Sequence, residues 1–151
     1  MNKNRVIFFI MMIAMMMLIF FFSSQNGEES SAMSSGVFLR LKENFNVNID
    51  IGVIRKLAHL TEYLFLGVSA ILYVGTFKNS DEKSMAIATA ICVLYAVSDE
   101  FHQYFIANRD GRFGDVLIDS TGAMLGITIT MLILLIMRRK NDKKITIWHL
   151  N

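Results

Sequence analysis

The sequence predicts an all-α, polytopic membrane protein: a four-transmembrane-helix bundle with a short extracellular amphipathic segment. Three observations predict it. Apolar residues fill 54% of the 151 positions, and mean hydropathy is +0.45. They gather in four runs, each near the ~20 residues that a helix needs to cross a bilayer core. Proline is absent, so no helix carries a proline kink.

The first run, about 6–24, follows Lys3 and Arg5. A signal peptide shares this basic start and apolar core. The run is longer than a signal core, however, and Phe20-Phe21-Phe22-Ser23-Ser24 offers no small-x-small cleavage site, so an uncleaved spanning helix is expected. Residues 25–54 form a long loop. Within it Val37, Phe38, Leu41 and Phe45 recur at helical spacing against Arg40, Lys42 and Glu43. That pattern suits a surface-lying amphipathic helix, or equally a helix packed on the protein's own loops.

The second span, about 57–77, is interrupted near its start by His59, Thr61 and Glu62. A polar connection at 78–83 follows. The third span, about 85–105, reaches full length only if Ser98–Gln103 lies inside the membrane, since ~13 apolar residues remain without it. A tight polar loop at 106–114 leads to the fourth span, about 116–137, which Arg138-Arg139-Lys140 ends. Residues 1–144 thus read as one membrane domain and 145–151 as a cytoplasmic tail. Trp148 is expected at the interface, and His149 is assigned no role. The lone Cys92 excludes an intrachain disulfide and a cysteine-based zinc site, leaving a small buried or lipid-facing residue. The net charge of +2 gives no reason to expect a nucleic-acid partner.

Lysine and arginine placement predicts orientation. Nine lie on one side: Lys3, Arg5, Lys78, Lys83 and five in the tail from Arg138 to Lys144. The other side holds six, four of them in polar clusters: Arg55, Lys56, Arg109 and Arg112. Both termini are therefore expected in the cytoplasm.

This topology brings the polar clusters together at the outer leaflet. At 1.5 Å per residue, Glu62 lies roughly 10 Å below Arg55, and Asp99 roughly 9 Å below Phe105. Asp119 lies roughly 6 Å below Asp115 by the same measure. Glu62, Asp99 and Asp119 could share one layer beneath Arg55, Lys56, Arg109, Arg112 and Asp115. Arg55, His59 and Glu62 form one helical stripe, and Asp99, His102 and Gln103 another. Asp115, Asp119, Gly122 and Gly126 continue one face of the fourth helix. The Gly-xxx-Gly pair there permits close packing within or between chains, so a homo-oligomer is one expectation.

The motifs Arg55-Lys56-Leu57-Ala58-His59…Glu62-Tyr63, Ser98-Asp99-Glu100…His102-Gln103 and Arg109…Asp115-Val116…Asp119…Gly122 follow Phe22-Ser23-Ser24-Gln25 in order. On these residues the chain resembles the VanZ-like family of small bacterial membrane proteins. One departure is visible: where the family usually has Pro-Gly-Arg before the fourth helix, this chain has Ala107-Asn108-Arg109. Asparagine tolerates a left-handed turn. The resemblance implies residence in the bacterial plasma membrane, an envelope role, and a link to low-level teicoplanin resistance in Gram-positive bacteria.

Three readings of the polar residues compete. In the first, Arg55–Glu62, Arg109–Asp115 and His102–Asp99 pair as a clamp, although buried ion pairs stabilise poorly. In the second, they line an outward-facing pocket for an anionic amphiphile. The ligand-binding set is then Arg55, Lys56, His59 and Glu62 on the second helix; Asp99, Glu100, His102 and Gln103 on the third; and Arg109, Arg112, Asp115 and Asp119 beyond it. Membrane lipid, a lipid-linked wall precursor or the lipoglycopeptide would be the partner. In the third, His59 or His102 acts as general base with Asp99 or Glu62 orienting it, for hydrolysis or group transfer on a lipid-linked substrate. Oxygen and imidazole ligands would suit Zn or Mn, but the spacing matches no zincin pattern, and neither a metal nor another cofactor is assigned. A channel is disfavoured, because the inner half of every span is apolar.

Overall fold

The computed structural model describes residues 3–46, 49–109 and 111–148, the backbone alone for 45 and 141–148. Asp110 and His149 lie outside the described residues, as does the side chain of Trp148. Among the described residues there are five helices and no strand: α1 Lys3–Ser23, α2 Gly27–Phe45, α3 Ile51–Val74, α4 Asp81–Gln103 and α5 Phe113–Trp148.

The helix starts follow local side-chain chemistry. Asn26 caps α2 in a reciprocal capping box: its Oδ1 accepts from Glu29 N at 2.9 Å, and Glu29 Oε2 accepts from Asn26 N at 3.2 Å. That cap starts the amphipathic helix ten residues before Val37, so it is longer than the apolar pattern alone suggests. Asp50 caps α3 through Gly52 N at 2.7 Å, and Ser80 caps α4 through Lys83 N at 3.3 Å. α5 runs on through Arg138-Arg139-Lys140, where its apolar run ends but its backbone ladder does not.

Four of these helices are long and apolar enough to cross a membrane: Lys3–Ser23, Ile51–Val74, Asp81–Gln103 and Phe113–Lys140. Their outward faces are apolar, with Phe21, Phe65, Leu94 and Leu132 all more than half exposed. Such faces suit lipid.

The core lies between α3 and α5. Gly67, Gly122 and Gly126 set how closely they approach. A Cβ at Gly122 would stand 2.3 Å from the Leu60 carbonyl oxygen, and one at Gly126 only 2.1 Å from that of Leu64. One at Gly67 would stand 2.2 Å from the Ala123 oxygen. Only hydrogen fits at these points, so the Gly-xxx-Gly face packs within the chain. On α4, Ala88, Cys92 and Ala96 recur every four residues and are fully buried.

Side-chain contacts give the topology. Arg5, at the start of α1, donates to Thr76 just beyond α3, at 3.0 Å to its carbonyl and 3.2 Å to Oγ1. Arg138 pairs with Asp81, at the start of α4, at 2.9 Å. The start of α1, the end of α3, the start of α4 and Arg138 of α5 therefore share one end of the bundle. The opposite end gathers the end of α1, the start of α3, the end of α4 and the start of α5.

Candidate functional site

At that opposite end the polar side chains form two layers. The upper one surrounds a cavity of about 230 Å³ lined by Arg55, Lys56 and His59 of α3, Gln103 of α4, Asn108, Arg109 and Arg112 of the loop, and Asp115 of α5, with Gly52 beside them. The loop turns at Asn108, whose φ of 59° is left-handed, a conformation that asparagine accepts more readily than most residues. Gly111 is required nearby, since a Cβ there would stand 2.7 Å from the carbonyl oxygen of Glu100.

The lower layer is buried and acidic. Asp99, Glu100 and Asp119 are 4%, 6% and 0% exposed. Tyr63 shares the depth, fully buried, and Gln103 donates from Nε2 to Asp99 Oδ2 at 3.2 Å. Glu100 Oε2 accepts from the backbone N–H of Arg112 at 2.9 Å, fastening the loop to α4. His59 Nδ1 lies 3.3 Å from Asp119 Oδ1, within ion-pair distance but not aligned as a hydrogen bond. Glu62 is half-buried, within electrostatic reach of His59, Asp99, Asp119 and Arg109.

None of the three clamp pairs forms. Arg55 has no acidic partner among the described residues. Arg109 turns away from Asp115 and donates to the carbonyls of Ser23 and Phe22, at 3.1 and 3.2 Å. It thereby satisfies orphan carbonyls at the end of α1. Burial, and after it the neighbouring Arg55, lowers its pKa below the ordinary arginine range, yet a guanidinium stays charged at neutral pH.

His102 also departs from expectation. It leaves the stripe of Asp99 and Gln103, stacks on Phe20 at 4.9 Å between centroids, and lies 3.3 Å from Ser24 Oγ. The inward face of α4 is Asp99, Glu100 and Gln103 instead. Helical geometry permits either set, and the close approach of α1 decides which face turns inward. His102 is therefore a contact to α1 rather than a cavity residue.

The fold adds residues that the spacing argument passed over. Ser23 Oγ, Gln25 Oε1 and the Tyr63 hydroxyl are buried atoms with no hydrogen-bond partner among the described residues. The signal for them was present, since Phe22-Ser23-Ser24-Gln25 and Tyr63 belong to the motifs. Only the fold shows that Arg109 joins the end of α1 to the site.

Fold and site together define a small multi-pass helical membrane protein with a charged cavity at one end of its bundle. The chain belongs to the VanZ/LLP1 family, whose model matches residues 8–135. No curated protein and no solved structure matches it.

Proposed function

We propose that this protein binds the anionic headgroup of an amphiphile at the outer face of the bacterial plasma membrane, with both termini cytoplasmic. The observation that carries the reading is the convergence of Arg55, Lys56, Arg109 and Arg112 on one cavity, where Asp115 is the one acid among the described lining residues. Arginine recognises phosphate or carboxylate through paired donors. The cavity of about 230 Å³ has room for a polar headgroup. An acyl chain would lie along the apolar surface beside it. Tyr104, Phe105 and Phe113, on the segments flanking the loop, are 71%, 67% and 78% exposed, as suits aromatic residues at headgroup level.

Membrane phospholipid, a lipid-linked wall precursor and a lipoglycopeptide share this chemistry, and the resemblance to VanZ-like proteins supports teicoplanin as the lipoglycopeptide to test. Purified protein is expected to bind phosphatidylglycerol over phosphatidylcholine, with the preference lost in Arg55→Ala and Lys56→Ala. Equal binding of both lipids by folded wild type would overturn the reading. In a sensitive Gram-positive host, expression is expected to raise the inhibitory concentration of teicoplanin but not of vancomycin, and Arg55→Ala to remove the effect.

The His59–Asp119 contact favours one second reading, hydrolysis or group transfer on a lipid-linked substrate. It places a carboxylate behind an imidazole that lines the cavity. Turnover of such a substrate, abolished in His59→Ala but kept in His102→Ala, would establish it.

A further inference from the structure

The layer beneath the basic cavity holds more buried negative groups than the protein satisfies. Both oxygens of Asp119, Oε1 of Glu100 and Oδ1 of Asp99 have no hydrogen-bond partner among the described residues. Asp119 is wholly inaccessible and Glu100 is 6% exposed. The Arg109 guanidinium is turned to the carbonyls of Ser23 and Phe22. Buried carboxylates in this condition take up protons or hold a cation.

The fold brings an imidazole to the same point. One ring nitrogen of His59 and one oxygen each of Glu100 and Asp119 lie within 4.8 Å of one another. Ligands about 2.0–2.2 Å from an ion stand at most about 4.4 Å apart, so a small side-chain rotation closes the set. The three come from three helices, which is why no linear spacing announced them.

We propose that His59, Glu100 and Asp119 bind one divalent transition-metal ion of the zinc or manganese type. A mixed nitrogen and carboxylate set suits these ions, whereas calcium and magnesium take oxygen ligands. Three protein ligands leave coordination positions open. His59 also lines the cavity, so an open position on the ion would be the one a phosphate oxygen bound there could take. This role for the open position rests on the headgroup reading; the ion itself rests only on the three side chains. A ring nitrogen that holds the ion cannot also serve as general base, so the ion and the His59-base reading exclude each other.

The test is metal content. Detergent-purified protein is stripped with chelator, reloaded with excess zinc or manganese chloride, desalted and analysed by mass spectrometry. About one ion per chain is expected in wild type and Arg55→Ala, and less than roughly a tenth of that in Asp119→Asn and Glu100→Gln. Less than roughly a tenth of an ion in wild type, or full occupancy in both carboxylate variants, would overturn the site. Should those variants misfold, X-ray absorption on loaded wild type decides: an imidazole with carboxylate oxygens supports it, and a sulfur or all-oxygen shell overturns it. Lipid binding, measured separately in Arg55→Ala, tells failure of the headgroup reading from failure of the ion site.

Discussion

At the scale of single residues, two side chains expected to act together do different work. Arg109 ties the loop to the end of α1, and Arg55 faces the cavity without an acidic partner among the described residues. Arg109→Ala leaves two carbonyls of α1 without their donor and is expected to lower stability by about 1.5–3 kcal/mol. Arg109→Lys, which lacks the fork, is expected to recover only part of it. Arg55→Ala should barely change the melting temperature. Burial lowers the pKa of Arg109, and a lowered cation pKa ties stability to pH only between its folded and unfolded values. A guanidinium stays charged at neutral pH, so its own titration gives the loss in Arg109→Ala no pH dependence between about pH 5 and 9. Thermal unfolding across that range checks this, and a slope would assign the contact to another titrating group. His102 packs on Phe20 and Ser24 at the end of α1, so His102→Ala is expected to leave lipid preference intact while His59→Ala alters it.

At the scale of the helix, the glycines make opposite predictions. Gly126→Ala drives a Cβ to 2.1 Å from the Leu64 carbonyl oxygen. It is expected to cost about 1–3 kcal/mol through forced separation of α3 and α5. Gly36 lies in the exposed middle of α2 with nothing within 4 Å of an added Cβ, so Gly36→Ala is expected to stabilise by roughly 0.5–1 kcal/mol. Melting curves of the two variants should move in opposite directions. The four apolar helices were legible because hydropathy and length act within one segment. The start of α2 was legible too, in Asn26 and Glu29, but the apolar stripe from Val37 drew attention past it. The rise per residue grouped Asp99 and Asp119, which are buried, but passed over Glu100, buried beside them. The direction each helix turns its face was not legible. That depends on which neighbour approaches, as His102 shows by packing on Phe20 instead of joining Asp99. The partner of Arg109 was invisible for a related reason, since a backbone carbonyl carries no sequence signal.

At the scale of the whole molecule, contacts at the two ends of the bundle order the helices. Arg5 with Thr76 and Arg138 with Asp81 hold one end, and the layered site occupies the other. If the site faces outward as proposed, an impermeant thiol reagent added to intact cells should label Ser35→Cys on α2 and spare Arg139→Cys. Cys92 is fully buried and should stay silent in both, so no cysteine-free background is required. The reverse pattern would turn the cavity to the cytoplasm and remove extracellular antibiotics as direct ligands. The bond from Arg109 to Ser23 spans 86 positions, and time is the consequence. The first helix leaves the ribosome early, while the donor that closes its far end is made only after three of the four spans. A nascent chain halted before residue 109 lacks the donor for the carbonyls of Phe22 and Ser23, so this end of the bundle is completed late in synthesis.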